Sequence, residues 1–168
     1  MECAASIAER EGWAAVTTRR LADEIEYSPP VLYGHFPQGR AGIVNAVAVR
    51  GFRRLADKLE ASVKAVPGDP VRAVADAYLG FAEQNPATYQ AMFSMPITAE
   101  FAQQSTPDEL KDGFAVFEQA VGPGPDSGTR AEVLWAALHG LSTLTRDGRM
   151  PPELRKQRVE CLVHMADR

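Results

Sequence analysis

An apolar stripe through Ile43, Val47, Phe52, Leu55, Leu59 and Val63 returns at nearly every turn of a helix, and it marks one long helix beginning just after Gly39. Every other strong period in the chain is helical too, and no segment alternates apolar and polar residues long enough to argue a strand. The fold class that follows is all-α.

Proline and glycine divide the remaining helices. The first helix runs from the start to about Glu11, with Ile7 and Ala8 inward, and stops at Gly12, the residue type favoured just past a helix end. Because Met1 already lies inside this pattern, the native start is read as lying further upstream. A two-turn helix opens after Thr17 or Thr18, whose hydroxyl can take up an orphan amide, and it buries Leu21, Ala22 and Ile25. Ser28 is read as the next N-cap, with Pro29 at the first helical position where a missing N–H costs nothing; the short helix through Pro30 and Phe36 ends at Pro37. Beyond the long helix, Val66 to Pro70 form a turn. Helices are expected up to Gln84 with Val71, Val74, Tyr78 and Phe81, and from Pro86 to Phe93. The pattern then breaks after Met95-Pro96 until a helix over Asp108 to Val121, with Leu110, Phe114 and Phe117 inward. Residues 122–128 are too rich in Pro and Gly for a helix, and two last helices cover Thr129 to Arg146 and Pro152 to Ala166.

Composition and charge narrow the function. Hydrophobic residues at 45% and no apolar run of membrane-spanning length point to a globular protein of the cytoplasm that uses no membrane. Cys3 and Cys161 lack neighbours at metal or redox spacing, and His35, His139 and His164 lie on three different helices, so no catalytic residue, metal or cofactor is assigned. The loop over 122–128 follows no strand and lacks the closing Gly-Lys-Ser/Thr of a phosphate loop. A net charge of −4 looks wrong for a nucleic-acid binder, yet residues 1–60 are neutral. Between Tyr27 and Ala56 stand Arg40, Arg50, Arg53 and Arg54 with no acid, which permits one positive face.

Two short helices separated by Glu26-Tyr27-Ser28, with small Ala22 at their crossing, have the layout of a helix-turn-helix that presents its second helix to a DNA major groove; a plain helical hairpin has the same spacing. The residue identities go further. Glu9-Arg10-Glu11-Gly12-Trp13, Thr17-Thr18, Leu21-Ala22-Asp23-Glu24 and Ser28-Pro29-Pro30-Val31-Leu32-Tyr33-Gly34-His35-Phe36 make Ala4 to Val49 resemble the DNA-binding domain of the TetR family. That resemblance implies backbone phosphate contacts from Thr18, Ser28, Tyr33 and His35, with Arg19 or Arg20 adding charge. Pro29, Pro30 and Val31 cannot make a bidentate contact with a base edge, so thymine-methyl contacts and DNA shape would carry much of the specificity. The family often has lysines where this chain has Pro29 and Gly39; Arg40 is read as replacing the second.

Trp135-Ala136-Ala137-Leu138-His139-Gly140 is similar to the Trp/His-Gly signature of one C-terminal subgroup of that family. The resemblance implies a homodimer through the last two helices, a double-stranded operator and a small-molecule effector whose binding tilts the long helix. Residues 1–50 are then the helix-turn-helix domain and residues 51–168 the ligand-binding and dimerisation domain. Tyr78, Phe81, Tyr89, Met92, Phe114, Phe117, Trp135 and His139 are the candidate effector residues, aromatic and soft apolar side chains with a few polar tips. Two other classes stay open on the residues alone: a helical interaction module without DNA binding, and a small-molecule enzyme using His139.

Overall fold

A computed structural model describes residues 1–97 and 108–166, except the side chains of Pro29 and residues 108–110, so the expected inward Leu110 lies outside the described residues. Among them are nine α-helices and no strand: α1 Glu2–Glu11, α2 Thr18–Glu24, α3 Pro29–His35, α4 Arg40–Ala65, α5 Pro70–Gln84, α6 Pro86–Phe93, α7 Asp108–Val121, α8 Ser127–Arg146 and α9 Arg155–Ala166. Single 3-10 turns at Trp13–Ala15 and Pro152–Leu154 complete the order.

Most boundaries stand within a residue or two of the sequence reading, and the departures have local causes. Met1 is the N-cap of α1, and Gly12 ends that helix with φ 80°. Thr17 caps α2 by accepting from the Arg20 amide. Ser28 occupies the N-cap of α3, but its hydroxyl caps nothing. The Val31 amide, third in the helix and the one such a hydroxyl would cap, donates instead to the Ser28 carbonyl, and Pro30 before it has no N–H to offer. α8 begins at Ser127, two residues before its expected start, and the run from Pro152 opens as a 3-10 turn before α9.

The chain forms two compact units, with α4 passing from the first, at Arg53, into the second, at Arg54. The first holds α1 to α3, the leading part of α4, and α6. Its core includes Ile7, Trp13, Val16, Leu21, Ile43, Val47 and Met92. α6 is fastened to α1 by the Glu9 carboxylate, which accepts from the Ala87 and Thr88 amides and the Thr88 hydroxyl, each at 2.9 Å. These are donors of the first helical turn, which would otherwise have no partner within the helix. Trp13 Nε1 adds a bond to the Ala87 carbonyl at 2.8 Å. Gly51 lets α6 lie against α4, because a Cβ there would stand 2.7 Å from Met92 Sδ. Phe93 closes the cluster, edge-on to Phe52 at 5.3 Å and tilted on Tyr89 at 4.7 Å.

The second unit packs the remainder of α4 with α5, α7, α8 and α9 around Leu59, Val74, Tyr78, Phe81, Leu134, Leu138 and Val159. Tyr78 meets Phe117 edge-on at 5.9 Å, and Phe114 meets Trp135 at 6.5 Å. Two arginines pin α9 to α5. Arg72 donates to both Glu160 carboxylate oxygens, at 2.7 and 2.8 Å, and to Asp69; Arg155 reaches Glu83 at 2.7 Å and the Asp76 carbonyl at 3.0 Å. The Arg72 guanidinium holds the Glu160 carboxyl below its usual range.

Candidate nucleic-acid interface

The turn joining α2 to α3 is built by backbone bonds. The Tyr27 amide reaches back to the Ala22 carbonyl at 3.0 Å, and the Ile25 amide to the Leu21 carbonyl at 3.1 Å. This six-to-one closure places Glu26 in the left-handed region, with φ 56°, where glycine is the usual occupant. Ala22, fully buried, fills the crossing. Leu32 is the buried anchor of α3, while Pro30, Val31, Tyr33, Gly34 and His35 are exposed. The exposure of His35 argues against a core role for it.

Thr18 and Tyr33, both expected to touch phosphate, are joined to one another: the Thr18 hydroxyl donates to the Tyr33 phenol oxygen at 3.1 Å. Thr18 is buried, whereas Tyr33 remains 54% exposed. Arg40 is exposed but turned inward at its head: Nε and Nη2 both donate to the Trp13 carbonyl, at 3.3 and 3.0 Å. It thereby ties the start of α4 to the 3-10 turn. Arg10 and Arg20 share Glu11 and Glu24 in exposed ion pairs. Among the described residues no hydrogen bond or ion pair holds the side chain of Arg19, Ser28 or His35. The Pro29 side chain lies outside the described residues.

The candidate effector residues are divided between the units. Tyr78, Phe81, Phe114, Phe117, Trp135 and His139 belong to the second, whereas Tyr89 and Met92 pack in the first beside Phe93 and Gly51. Tyr78, Phe81, Phe117, Tyr89 and Met92 are buried in close packing. His139 is half-buried, and burial, with a smaller push from Arg146, lowers its pKa. Three residues on, the Ser142 hydroxyl is buried without a hydrogen-bond partner among the described residues. A groove of about 190 Å³ between α4 and α7, lined by Glu60, Val63, Lys64, Asp112, Ala115, Val116 and Gln119, includes none of the candidate effector residues. Among the described residues no group of three or more His, Cys, Asp or Glu could hold a metal ion, and no helix is long and apolar enough to cross a membrane.

An N-terminal helix-turn-helix followed by a larger helical unit defines a class of bacterial regulatory proteins, and comparison with known proteins makes it specific. Residues 1–47 match the family model for bacterial regulatory proteins of the tetR family, and residues 71–167 match that for the tetracyclin repressor-like C-terminal domain. The chain belongs to the TetR family. It is 37% identical over 92 residues to an uncharacterized HTH-type transcriptional regulator of Bacillus subtilis, covering 54% of this chain and 48% of that one. A second such regulator, from Mycobacterium tuberculosis, is 27% identical over 153 residues, 89% of this chain and 70% of its own length. This chain therefore spans about half of the first relative. A protein of unknown function from Rhodococcus sp. RHA1 superposes with a TM-score of 0.78 at 25% identity, over 97% of this chain and 89% of that one. A bacterial regulatory protein in the tetR family from Rhodococcus RHA1 shares the fold with a TM-score of 0.63 at 16% identity, over 98% and 93%.

Proposed function

We propose that this protein is a cytoplasmic, homodimeric transcriptional repressor that holds a palindromic DNA operator and releases it when a small apolar or amphipathic molecule binds. Residues 1–50 read DNA, and residues 51–168 bind the effector and the second subunit. It is a regulator without catalytic activity, cofactor or membrane partner.

The observation that carries this reading is the outward α3, braced by the Thr18–Tyr33 bond. Tyr33, Ser28 and His35 contact phosphate, with charge from Arg19, and the buried Thr18 acts through the Tyr33 ring that its hydroxyl holds. Dimerisation through α8 and α9 is supported by apolar side chains that one chain leaves in water: Val133 is 60% and Met165 70% exposed. Gly140 supports it too, because a Cβ there would meet nothing within 4 Å of its own chain. For the effector, His139 and Ser142 supply polar points beside the Phe114–Trp135 pair, in keeping with the Trp/His-Gly grouping of residues 135–140.

The test is footprinting of the purified protein on duplexes from its own promoter region across a salt series. A two-fold-symmetric footprint whose affinity falls steeply with salt is expected. Failure to retain any duplex at low salt would leave a helical interaction module instead.

A further inference from the structure

We propose that α3 reads DNA through an apolar edge, with Tyr27 as its specificity-determining residue: Tyr27, Pro30 and Val31 recognise the C5-methyl groups of pyrimidines in the major groove. The inference rests on DNA binding by the helix-turn-helix as proposed above, and adds which base chemistry is read.

Purine edges are discriminated by Arg, Lys, Asn or Gln, which make paired hydrogen bonds to them. None of these stands between Glu26 and Pro37. The first guanidinium after α3 in the sequence, Arg40, directs Nε and Nη2 at the Trp13 carbonyl. The Tyr33 phenol is held by Thr18. Ser28 and His35 carry single polar tips, which discriminate bases weakly.

What the helix offers instead is apolar surface. Tyr27 sits just before the N-cap, where a hydrophobic residue commonly packs on the fourth helical residue and is covered. Here that fourth residue, Leu32, is 4% exposed, but Tyr27 is 58% exposed and Val31 41%. A single exposed apolar residue is ordinary. Two of them at the start of α3, with exposed Pro30 between them in the chain, are apolar surface that this fold leaves uncovered. The apolar group of a major-groove edge is the C5-methyl of thymine, and 5-methylcytosine presents the same group at the same place.

The experiment starts from a duplex enriched by the full chain from a randomised pool and remakes it with deoxyuridine for thymidine, which removes the methyl group and keeps the pairing. Each contacted methyl lost should weaken binding about fourfold, hence tenfold or more over two half-sites. Restoring methyl groups as 5-methylcytosine in a cytosine-substituted version of the duplex should recover part of that loss. Tyr27→Ser and Val31→Ser, both at exposed positions, should bind thymine and uracil duplexes alike while keeping salt-dependent affinity for unrelated DNA; thermal melting verifies their folding. Equal binding of thymine and uracil duplexes by the unmodified protein overturns the inference, as does an undiminished preference in both variants. In either case DNA binding itself stands, whereas loss of all duplex binding at low salt removes both.

Discussion

Thr18 donates its hydroxyl hydrogen to the phenol oxygen of Tyr33 at 3.1 Å, joining a buried residue of α2 to an exposed residue of α3. The bond sets the ring where α3 faces outward, and it gives the buried Thr18 hydroxyl its acceptor. Tyr33→Phe should destabilise folding by about 1–2 kcal/mol, because that hydroxyl is left unpaired. Thr18→Val should cost about 1 kcal/mol, and the double variant less than the sum. Urea melts of the four proteins decide it: strict additivity means the bond contributes nothing. In DNA binding, Tyr33→Phe should weaken every duplex by a similar factor.

Glu26 pays a steric penalty in the left-handed turn before α3. Glu26→Gly is expected to raise stability by about 0.5–1 kcal/mol, the relief of strain outweighing the extra freedom glycine has when unfolded. Chemical denaturation measures this, and a less stable variant would show that the turn is not strained.

Glu9→Gln removes the charge from three hydrogen bonds at the start of α6. We expect a loss of roughly 2 kcal/mol and faster hydrogen exchange in α6 than in α2. Uniform exchange across both helices would mean that Glu9 does not hold α6 in place.

Gly34 has no neighbour within 4 Å of a Cβ position and no left-handed φ, so a side chain fits there. Gly34→Lys should tighten binding to all duplexes and steepen the dependence of log affinity on log salt by about 0.9 per subunit. An unchanged slope would place Gly34 away from the phosphates.

His139 is buried enough to favour its neutral form, and Arg146 adds to this. Its folded pKa lies below the unfolded value of roughly 6.5, so unfolding is coupled to proton uptake on acidification. The stability it contributes is complete above the unfolded value and is lost as pH falls through the folded one. His139→Gln should flatten the decline of Tm below pH 6.5, and a parallel decline in both proteins would count against the assignment.

The helices were legible because their ends carry their own chemistry. Gly12 at φ 80°, Pro86 opening α6, and the Thr17 hydroxyl on the Arg20 amide are all decided within a few residues. Where two local signals competed, only part of the sequence reading held: Ser28 does stand at the N-cap of α3, but the Val31 amide its hydroxyl would cap is taken by the Ser28 carbonyl, and Pro30 has no N–H to replace it. Glu26 gave no warning of a left-handed turn, since its conformation comes from the bond closing between Tyr27 and Ala22.

The sequence by itself determined an all-helical chain, the order of its helices, and the helix-turn-helix motif, because apolar period and end-capping are short-range properties. Only the tertiary structure decided that α6 belongs with the N-terminal unit, through Glu9 and Trp13 reaching Thr88 and Ala87 across more than seventy residues. It likewise separated Tyr89 and Met92 from the other candidate effector residues, turned Arg40 onto the Trp13 carbonyl, and left Tyr27 exposed. Such outcomes depend on which surfaces meet once distant helices pack, and no local period encodes that.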